Sequence, residues 1–277
     1  MRIIAALALA AAGSVSVSIA QSDDQALTVT AEQSGDGVVR LIVTTDHLSE
    51  ATLTLTATLV NMDSSVKLPL VTELKGAGKR GLCVLTPHDR STNWKYHYHY
   101  VWKYGTRGGV PDPDAVYRLP YPASEHHKLM QGHRGAFSHQ AGSINENAYD
   151  FEMPIGNTVC ASRGGVVIGV RQDSDVGGPS EAFNLSDNYV IIRHGDGTYA
   201  EYIHLRKRGA LVALGDTVDA GQPIGLAGVT GHTTGPHVHF EVYRLTDQPG
   251  GVERESLSVK MLTKHGVCDE LTEGIVY

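Results

Sequence analysis

The stretch from Gly231 to Val242 constrains the fold more than any other part of this 277-residue chain. A turn rich in glycine, threonine and proline excludes a helix there and leads into a segment where polar and apolar residues alternate. Because side chains two apart on a strand point to one side, His237 and His239 are predicted to share a face opposite the core. Two such imidazoles could bind a metal, although a chance His-x-His on a half-buried strand would look the same.

Short alternating segments between glycine-rich turns recur along the chain, which contains 31 glycines, and they predict an all-β protein. In Ala51–Val60, for example, apolar residues alternate with threonines, as in a sandwich strand. From strand pattern alone we predict an N-terminal immunoglobulin-like β-sandwich over residues 21–118. A compact antiparallel-β domain is predicted over residues 119–248, followed by a strand-rich tail over residues 249–277.

The first 20 residues have the pattern of a secretory signal. Arg2 precedes a short apolar stretch, and Ser18-Ile19-Ala20 supplies small residues before a cleavage point after Ala20. The apolar stretch is too short to span a membrane comfortably, and no other segment is long and apolar enough. A net charge of -7 without a basic run argues against nucleic acid as the main partner. We therefore expect an exported protein without a transmembrane segment after signal cleavage.

The sequence contains three cysteines, Cys83, Cys160 and Cys268. Cys160 lies in an apolar strand-like segment and is predicted to be a small buried core residue. In an oxidising compartment, Cys83 and Cys268 would then be a hypothetical disulfide joining the tail to the first domain. Since no Cys-x-x-Cys spacing exists, none of the three is predicted to bind zinc.

Further candidate site residues lie upstream of the His-x-His strand. His139 ends a glycine-containing loop segment, and Asp150 lies inside the apolar segment Ala148–Pro154. A buried aspartate is costly unless it is paired or bound to a cation. His204 follows an Asp-Gly hairpin signal and is predicted on the second strand of the hairpin, on the same face as Tyr202.

A second His-x-His, His97 and His99, lies in the aromatic segment Trp94–Trp102. No carboxylate or glycine-rich turn with a histidine motif accompanies it, so we interpret both histidines as polar-face strand residues with aromatics opposite. If those aromatic side chains were exposed, the N-terminal sandwich could instead be an adhesion or polysaccharide-binding module.

The residue types in the second domain suit a catalytic metal. Two nitrogen ligands and one carboxylate oxygen would leave a fourth position of zinc open for water. Bound zinc lowers the pKa of that water and polarises a carbonyl, so peptide hydrolysis needs no side-chain nucleophile. Two further histidines beside the metal would suit proton transfer and oxyanion stabilisation.

From about Tyr121 to Tyr243 the sequence resembles the lysostaphin-type (LytM-like) zinc metallo-endopeptidases, which cut peptide bonds in peptidoglycan. The commoner form of the family carries the first histidine and the aspartate on one short motif, whereas residues 140–149 separate them here, which predicts an inserted loop. The motifs that carry the resemblance are Phe137–His139, Tyr149–Phe151 with Met153-Pro154, Asn188–Val190, Tyr202–Leu205, Gly215–Val218 with Gly221-Gln222, and Thr234–Phe240.

The resemblance implies a compact β domain with its site in a groove on an antiparallel sheet. It assigns His139, Asp150 and His239 as ligands of one zinc ion per chain. It assigns His204 and His237 as the catalytic pair, general base and oxyanion stabiliser in either order. The implied substrate is a peptide crosslink or stem peptide of peptidoglycan, in the periplasm or the extracellular cell-wall compartment.

The alternative is a catalytically silent relative of the same fold that binds and activates a cell-wall amidase. Such relatives typically lose metal ligands, whereas this chain keeps all five matched polar residues. Activity is therefore favoured, although a fold alone does not establish a function.

Overall fold

The computed structural model describes residues 26–46 and 48–277. The predicted signal segment, residues 1–20, lies outside them. Regular structure in the described ranges is almost entirely β-strand, with one short 3₁₀ turn at Glu181–Phe183, which confirms the all-β prediction. None of the helical structure in these ranges is long and apolar enough to cross a membrane.

The chain divides into two compact units. The first contains the described residues through Tyr104 together with Asp247–Val252, and the second contains Gly105–Thr246 and Glu253–Tyr277. The division falls after Tyr104 rather than near residue 118 because Val116–Arg118 is a strand that pairs with Lys260–Thr263 of the second unit. Most of the predicted tail likewise packs within the second unit.

The first unit is a sandwich of two sheets over one hydrophobic core. One sheet has the strand order β1-β2-β6-β4 and the other β5-β3-β7. Alternation in β3 buries Leu53 and Leu55, which share the core with Tyr98 and Tyr100 of β7. The predicted β-sandwich is confirmed. Its strands are β1 (Leu27–Gln33), β2 (Val39–Thr45), β3 (Glu50–Val60), β4 (Met62–Ser64), β5 (Leu70–Lys75), β6 (Gly78–Pro87) and β7 (Lys95–Tyr104).

The second His-x-His lies on β7 of this sandwich. Tyr96, Tyr98 and Tyr100 are buried in the core, whereas His97 is exposed and His99 is half-buried between them. Neither histidine belongs to a group of three potential metal ligands in the part of the chain that the structure describes. Burial of the tyrosines removes the exposed aromatic surface on which the adhesion hypothesis depended.

The second unit is built around an eight-stranded sheet. Its path is β17-β12-β14-β15-β20-β10-β9, and β21 pairs with β20. Smaller sheets have the orders β11-β18-β16, β13-β19 and β23-β22-β8. The strands are β8 (Val116–Arg118), β9 (Leu129–Gln131), β10 (Tyr149–Glu152), β11 (Thr158–Cys160), β12 (Gly165–Arg171), β13 (Gly177–Gly178), β14 (Tyr189–Arg193), β15 (Tyr199–Ile203), β16 (Leu205–Ala210), β17 (Thr217–Val218), β18 (Pro223–Ala227), β19 (Gly231–His232), β20 (His237–Gln248), β21 (Gly251–Ser256), β22 (Lys260–Thr263) and β23 (Gly266–Cys268).

Strand β20 separates the core of this unit from its polar face. Val238, Phe240 and Val242 belong to the hydrophobic core, as the period-two pattern predicts. His237 and His239 alternate with these core residues, point to the other face of the sheet and line a cleft. Strand β20 therefore contributes residues to the hydrophobic core on one face and to the candidate site on the other.

The three cysteines are all free thiols. Cys83 is buried in the core of the sandwich, where burial raises the pKa of its thiol. Cys268 lies in the second unit on β23, so the hypothetical Cys83–Cys268 disulfide is wrong for this structure. Cys160 is buried beside the core of the second unit, as predicted.

The predicted Asp-Gly hairpin joins β14 to β15, and Asp196 in its turn is held by several donors. Its carboxylate accepts a hydrogen bond from Arg163 at 2.6 Å, two from the backbone and hydroxyl of Thr198 at 3.0 and 2.7 Å, and one from the backbone of Asp112 at 3.1 Å. Burial opposes ionisation, but these donors outweigh it and hold the pKa of Asp196 below its usual value of 3.8.

We expect Asp196→Asn to destabilise the second unit in a pH-dependent way. Because the folded pKa is depressed, the ionised carboxylate stabilises the protein above the unfolded pKa and loses this effect as pH falls through the folded pKa. The deficit should be about 1.5–3 kcal/mol near neutral pH and shrink below about pH 4. Urea unfolding with a chelator from pH 3 to 7, beside the exposed control Asp219→Asn, measures it. A deficit that stays constant with pH would contradict the prediction.

Candidate metal centre and catalytic cleft

A cleft of about 470 Å³ opens on the polar face of the large sheet. It is bordered by the loop that precedes β10 and by the polar loop that follows β12, which contributes Asn184. Its floor is formed by the strand residues of β9, β10 and β20. The lining side chains include Gln131, Phe137, Ser138, Asp150, Asp187, Ile203, His204, His237, His239 and Glu273.

Asp150 and His239 line this cleft, and the fully buried His139 lies beside them. Asp150 on β10 and His239 on β20 are direct cross-strand partners, and the loop before β10 brings in His139. The Nδ1 atom of His239 lies 2.9 Å from Oδ1 of Asp150, and Nε2 of His139 lies 3.5 Å from Oδ2. One potential ligand atom from each residue lies within 4.8 Å of the others, and all three residues are buried.

The donor atoms of this group fit a divalent metal. Nδ1 of His139 donates to the carbonyl of Gly132 at 3.1 Å, which leaves the lone pair on Nε2, a buried atom without a hydrogen-bond partner. Burial lowers the pKa of His139 and opposes ionisation of Asp150, but hydrogen bonding to His239 and the nearby imidazoles keep the pKa of Asp150 well below its usual range. Burial also opposes charge on His239, yet Asp150 raises its pKa to about 8.

His204 and His237 stand together beside this group, with ring centroids 4.5 Å apart. Nδ1 of His237 lies 2.9 Å from the carbonyl of Gly235, so Nε2 faces the cleft, 3.8 Å from Oδ1 of Asp150. Burial, followed by the nearby His204, lowers the pKa of His237 to about 4 and keeps its ring neutral at pH 7. The structure therefore brings all five residues singled out in the sequence together: four line the cleft, and His139 is buried against Asp150.

The position of His204 differs from the prediction in an informative way. Strand β15 ends at Ile203, and His204 adopts a left-handed backbone with φ of 66°. Continued strand alternation would have placed its side chain on the core face with Tyr202, whereas the left-handed residue lines the cleft. The prediction that His204 lies on the strand and shares the Tyr202 face is therefore wrong.

Neighbouring hydrogen bonds hold this unusual backbone in place. Nδ1 of His204 lies 2.7 Å from the carbonyl of Thr230 and 3.0 Å from Oδ1 of Asp187. The carbonyl of the next residue, Leu205, accepts from the hydroxyl of Thr230 at 2.7 Å and from the buried amide of Asn188 at 3.2 Å. Contacts of this number can maintain a backbone conformation that costs about 1–3 kcal/mol.

A buried ionic group behind His239 was not found from the sequence. Glu241 lies two residues after His239 on β20 and is the cross-strand neighbour of Glu201 on β15. The guanidinium of Arg254 on β21 donates to both carboxylates, and its hydrogen bond to Glu201 is 2.6 Å long. Nε2 of His239 and one oxygen of Glu241 are both buried without a hydrogen-bond partner. The period-two pattern of β20 could have indicated Glu241, but no sequence signal links Arg254 to it.

Comparison with protein families agrees with this geometry. Residues 145–250 match the model of peptidase family M23. This part of the chain is an M23 domain. The matched residues include Asp150, His204, His237 and His239, whereas His139 lies just before them, so its place in the site rests on the structure.

Characterised relatives match the M23 domain over part of their length. The chain is 44% identical over 96 residues to the peptidoglycan DD-endopeptidase ShyA of Vibrio cholerae serotype O1, covering 35% of this chain and 20% of that protein. It is 33% identical over 115 residues to the DD-carboxypeptidase/endopeptidase Mpg of Neisseria meningitidis serogroup B, covering 42% and 24%. The matches thus span about a quarter or less of these relatives.

Among solved structures, the catalytic domain of lysostaphin from Staphylococcus simulans is similar to the chain at 25% identity and a TM-score of 0.31. The similarity covers 47% of this chain and 87% of the lysostaphin domain.

Proposed function

We propose that this chain is an exported zinc-dependent endopeptidase that hydrolyses peptide crosslinks or stem peptides of bacterial peptidoglycan. The observation that carries the proposal is the convergence of His139, Asp150 and His239 beside a cleft that is lined by two further histidines. ShyA, ShyB and ShyC are 44, 41 and 38% identical to the chain over the matched segments, and each is named a peptidoglycan DD-endopeptidase. These names favour a DD crosslink as the bond that the chain cuts. The signal pattern in residues 1–20 supports export.

In this proposal, His139 through Nε2, Asp150 through its carboxylate and His239 through Nδ1 hold one zinc ion. Zinc bound there would act as a Lewis acid and lower the pKa of a water molecule. His237 donates from Nδ1 to a backbone carbonyl, so its Nε2 can accept a proton at the cleft. Nδ1 of His204 lies against a carbonyl in the same way, so Nε2 of either histidine can accept a proton as the base. The other histidine would donate to the oxyanion in its protonated form, in which Nε2 also carries a proton.

Digestion of purified peptidoglycan tests this proposal. We expect the zinc-loaded mature chain to convert crosslinked fragments into uncrosslinked ones with new peptide termini, as measured by chromatography and mass spectrometry. A chelator should abolish the conversion and added zinc should restore it. Parallel digestion of uncrosslinked stem peptides distinguishes the two substrate classes. Intact crosslinks and stem peptides after incubation with zinc-loaded protein would contradict the proposal and favour an amidase-activating role.

A further inference from the structure

Gln131 is the last residue of β9 and lies directly opposite Asp150 of β10 in the sheet register. Its side chain is buried, and both ends of its amide are used. The Nε2 group donates to Oδ2 of Asp150 at 2.9 Å and to the hydroxyl of Ser138 at 2.8 Å. The Oε1 atom accepts from the backbone N–H groups of Phe137 and Ser138, at 3.0 and 2.9 Å.

These four hydrogen bonds connect two separate parts of the candidate metal site. Oδ2 of Asp150 is the oxygen that lies 3.5 Å from Nε2 of His139. The two backbone groups belong to the residues immediately before His139, so Gln131 fixes the aspartate and the histidine loop at once. An amide side chain can donate at one end and accept at the other, whereas a carboxylate accepts only and an apolar side chain does neither.

The loop that carries His139 has further side-chain contacts, which include the buried bond from Nδ1 of His139 to the carbonyl of Gly132 at 3.1 Å. Arg134 pairs with Glu146 at 2.9 Å, and Glu146 also accepts from the backbone of Gly142 at 2.8 Å, in exposed positions. Exposed pairs of this kind contribute little, about 0–1 kcal/mol. The buried Gln131 amide differs from these contacts because it bonds the Asp150 carboxylate and the backbone of the His139 loop together.

We propose that Gln131 is a positioning residue for the metal site, and that its amide sets the separation of the Asp150 carboxylate and the His139 imidazole. The inference rests on the proposed zinc site and adds a residue that lies before the segment matched by the M23 model. Hydrogen-bond partners of metal ligands orient those ligands, and their loss typically weakens metal binding about 10- to 100-fold.

Two substitutions separate the two ends of the amide. Gln131→Met keeps length and apolar volume but removes all four hydrogen bonds. Gln131→Glu keeps an acceptor for the two backbone groups and removes the donor to Asp150. Gln140→Met is the matched control, because Gln140 lies in the same loop and donates to the carbonyls of Ala136 and Phe137 without touching a candidate ligand.

Zinc affinity of the full chain, measured by competition with a chromophoric chelator, is the first readout. We expect both Gln131 variants to bind zinc about 10- to 100-fold more weakly than the parent, and Gln140→Met to stay within about threefold. The visible spectrum at saturating cobalt is the second readout. It should change in the Gln131 variants, whereas a merely structural loss would lower thermal stability and leave the spectrum of the loaded protein unchanged.

Parental affinity and an unchanged cobalt spectrum in Gln131→Glu would overturn the inference while leaving the zinc site of the parent intact. An equal loss in Gln140→Met would also overturn it, because any damage to the loop would then suffice. A parent that binds no zinc would overturn the proposed function itself. If Gln131→Met does not fold, Gln131→Glu alone decides.

Discussion

Replacement of Asp150 by alanine is expected to abolish zinc binding and peptidoglycan hydrolysis together. Asp150 lies at the centre of the candidate site. Its carboxylate is 2.9 Å from Nδ1 of His239, 2.9 Å from Nε2 of Gln131 and 3.5 Å from Nε2 of His139. Alanine would remove the single anionic ligand and leave buried donors without an acceptor. Unpaired buried donors cost about 1–3 kcal/mol each, so the metal-free variant should also unfold more easily.

The measurements are zinc per chain after dialysis, digestion of peptidoglycan, and thermal unfolding with and without a chelator. Asp219→Ala is the control, since Asp219 lies in the same unit and is exposed. Because zinc would bind the folded form preferentially, it should raise the melting temperature of the parent and of the control but not of Asp150→Ala. One zinc per chain and normal hydrolysis in Asp150→Ala would contradict the ligand assignment.

His237→Ala should instead separate chemistry from metal binding. The Nε2 atom of His237 faces the cleft beside Asp150, but the candidate ligand atoms belong to other side chains. Removal of a general base or an oxyanion donor typically lowers kcat about 10²- to 10⁴-fold. We therefore expect a loss of hydrolysis of this size with zinc affinity near that of the parent. His204→Ala should behave similarly, since the two rings are 4.5 Å apart.

The hydrolysis rates of His237→Ala and of the parent are compared by steady-state kinetics on a crosslinked fragment. Zinc content is measured on the same preparations. His265→Ala serves as the control because His265 is an exposed histidine outside the cleft. The expected change is in kcat, because a proton acceptor acts on the reaction step more than on substrate binding. Full hydrolysis by His237→Ala would exclude a catalytic role for this histidine.

Sequence periodicity was sufficient to predict which side chains enter the core in strands with regular alternation of polar and apolar residues. The pattern of β20 predicted that Val238, Phe240 and Val242 would enter the core and that His237 and His239 would face away. The turn signals around β14 and β15 predicted their hairpin.

Residues whose positions depend on distant backbone could not be predicted in this way. His204 reaches the cleft through a left-handed backbone that hydrogen bonds to Thr230 and Asn188 maintain, and these partners lie far along the chain. Gln131 and Arg254 meet the site through sheet register, which the sequence of either segment does not specify alone. The hypothetical Cys83–Cys268 disulfide failed because counting cysteines carries no information about which core each one enters.

The most direct test of the proposed zinc site is X-ray diffraction from crystals of the zinc-loaded protein, recorded on both sides of the zinc absorption edge. The account predicts one anomalous peak per chain, about 2.0–2.2 Å from Nε2 of His139, a carboxylate oxygen of Asp150 and Nδ1 of His239. A peak bound by other residues, or no peak in the cleft of a zinc-saturated crystal, would contradict it.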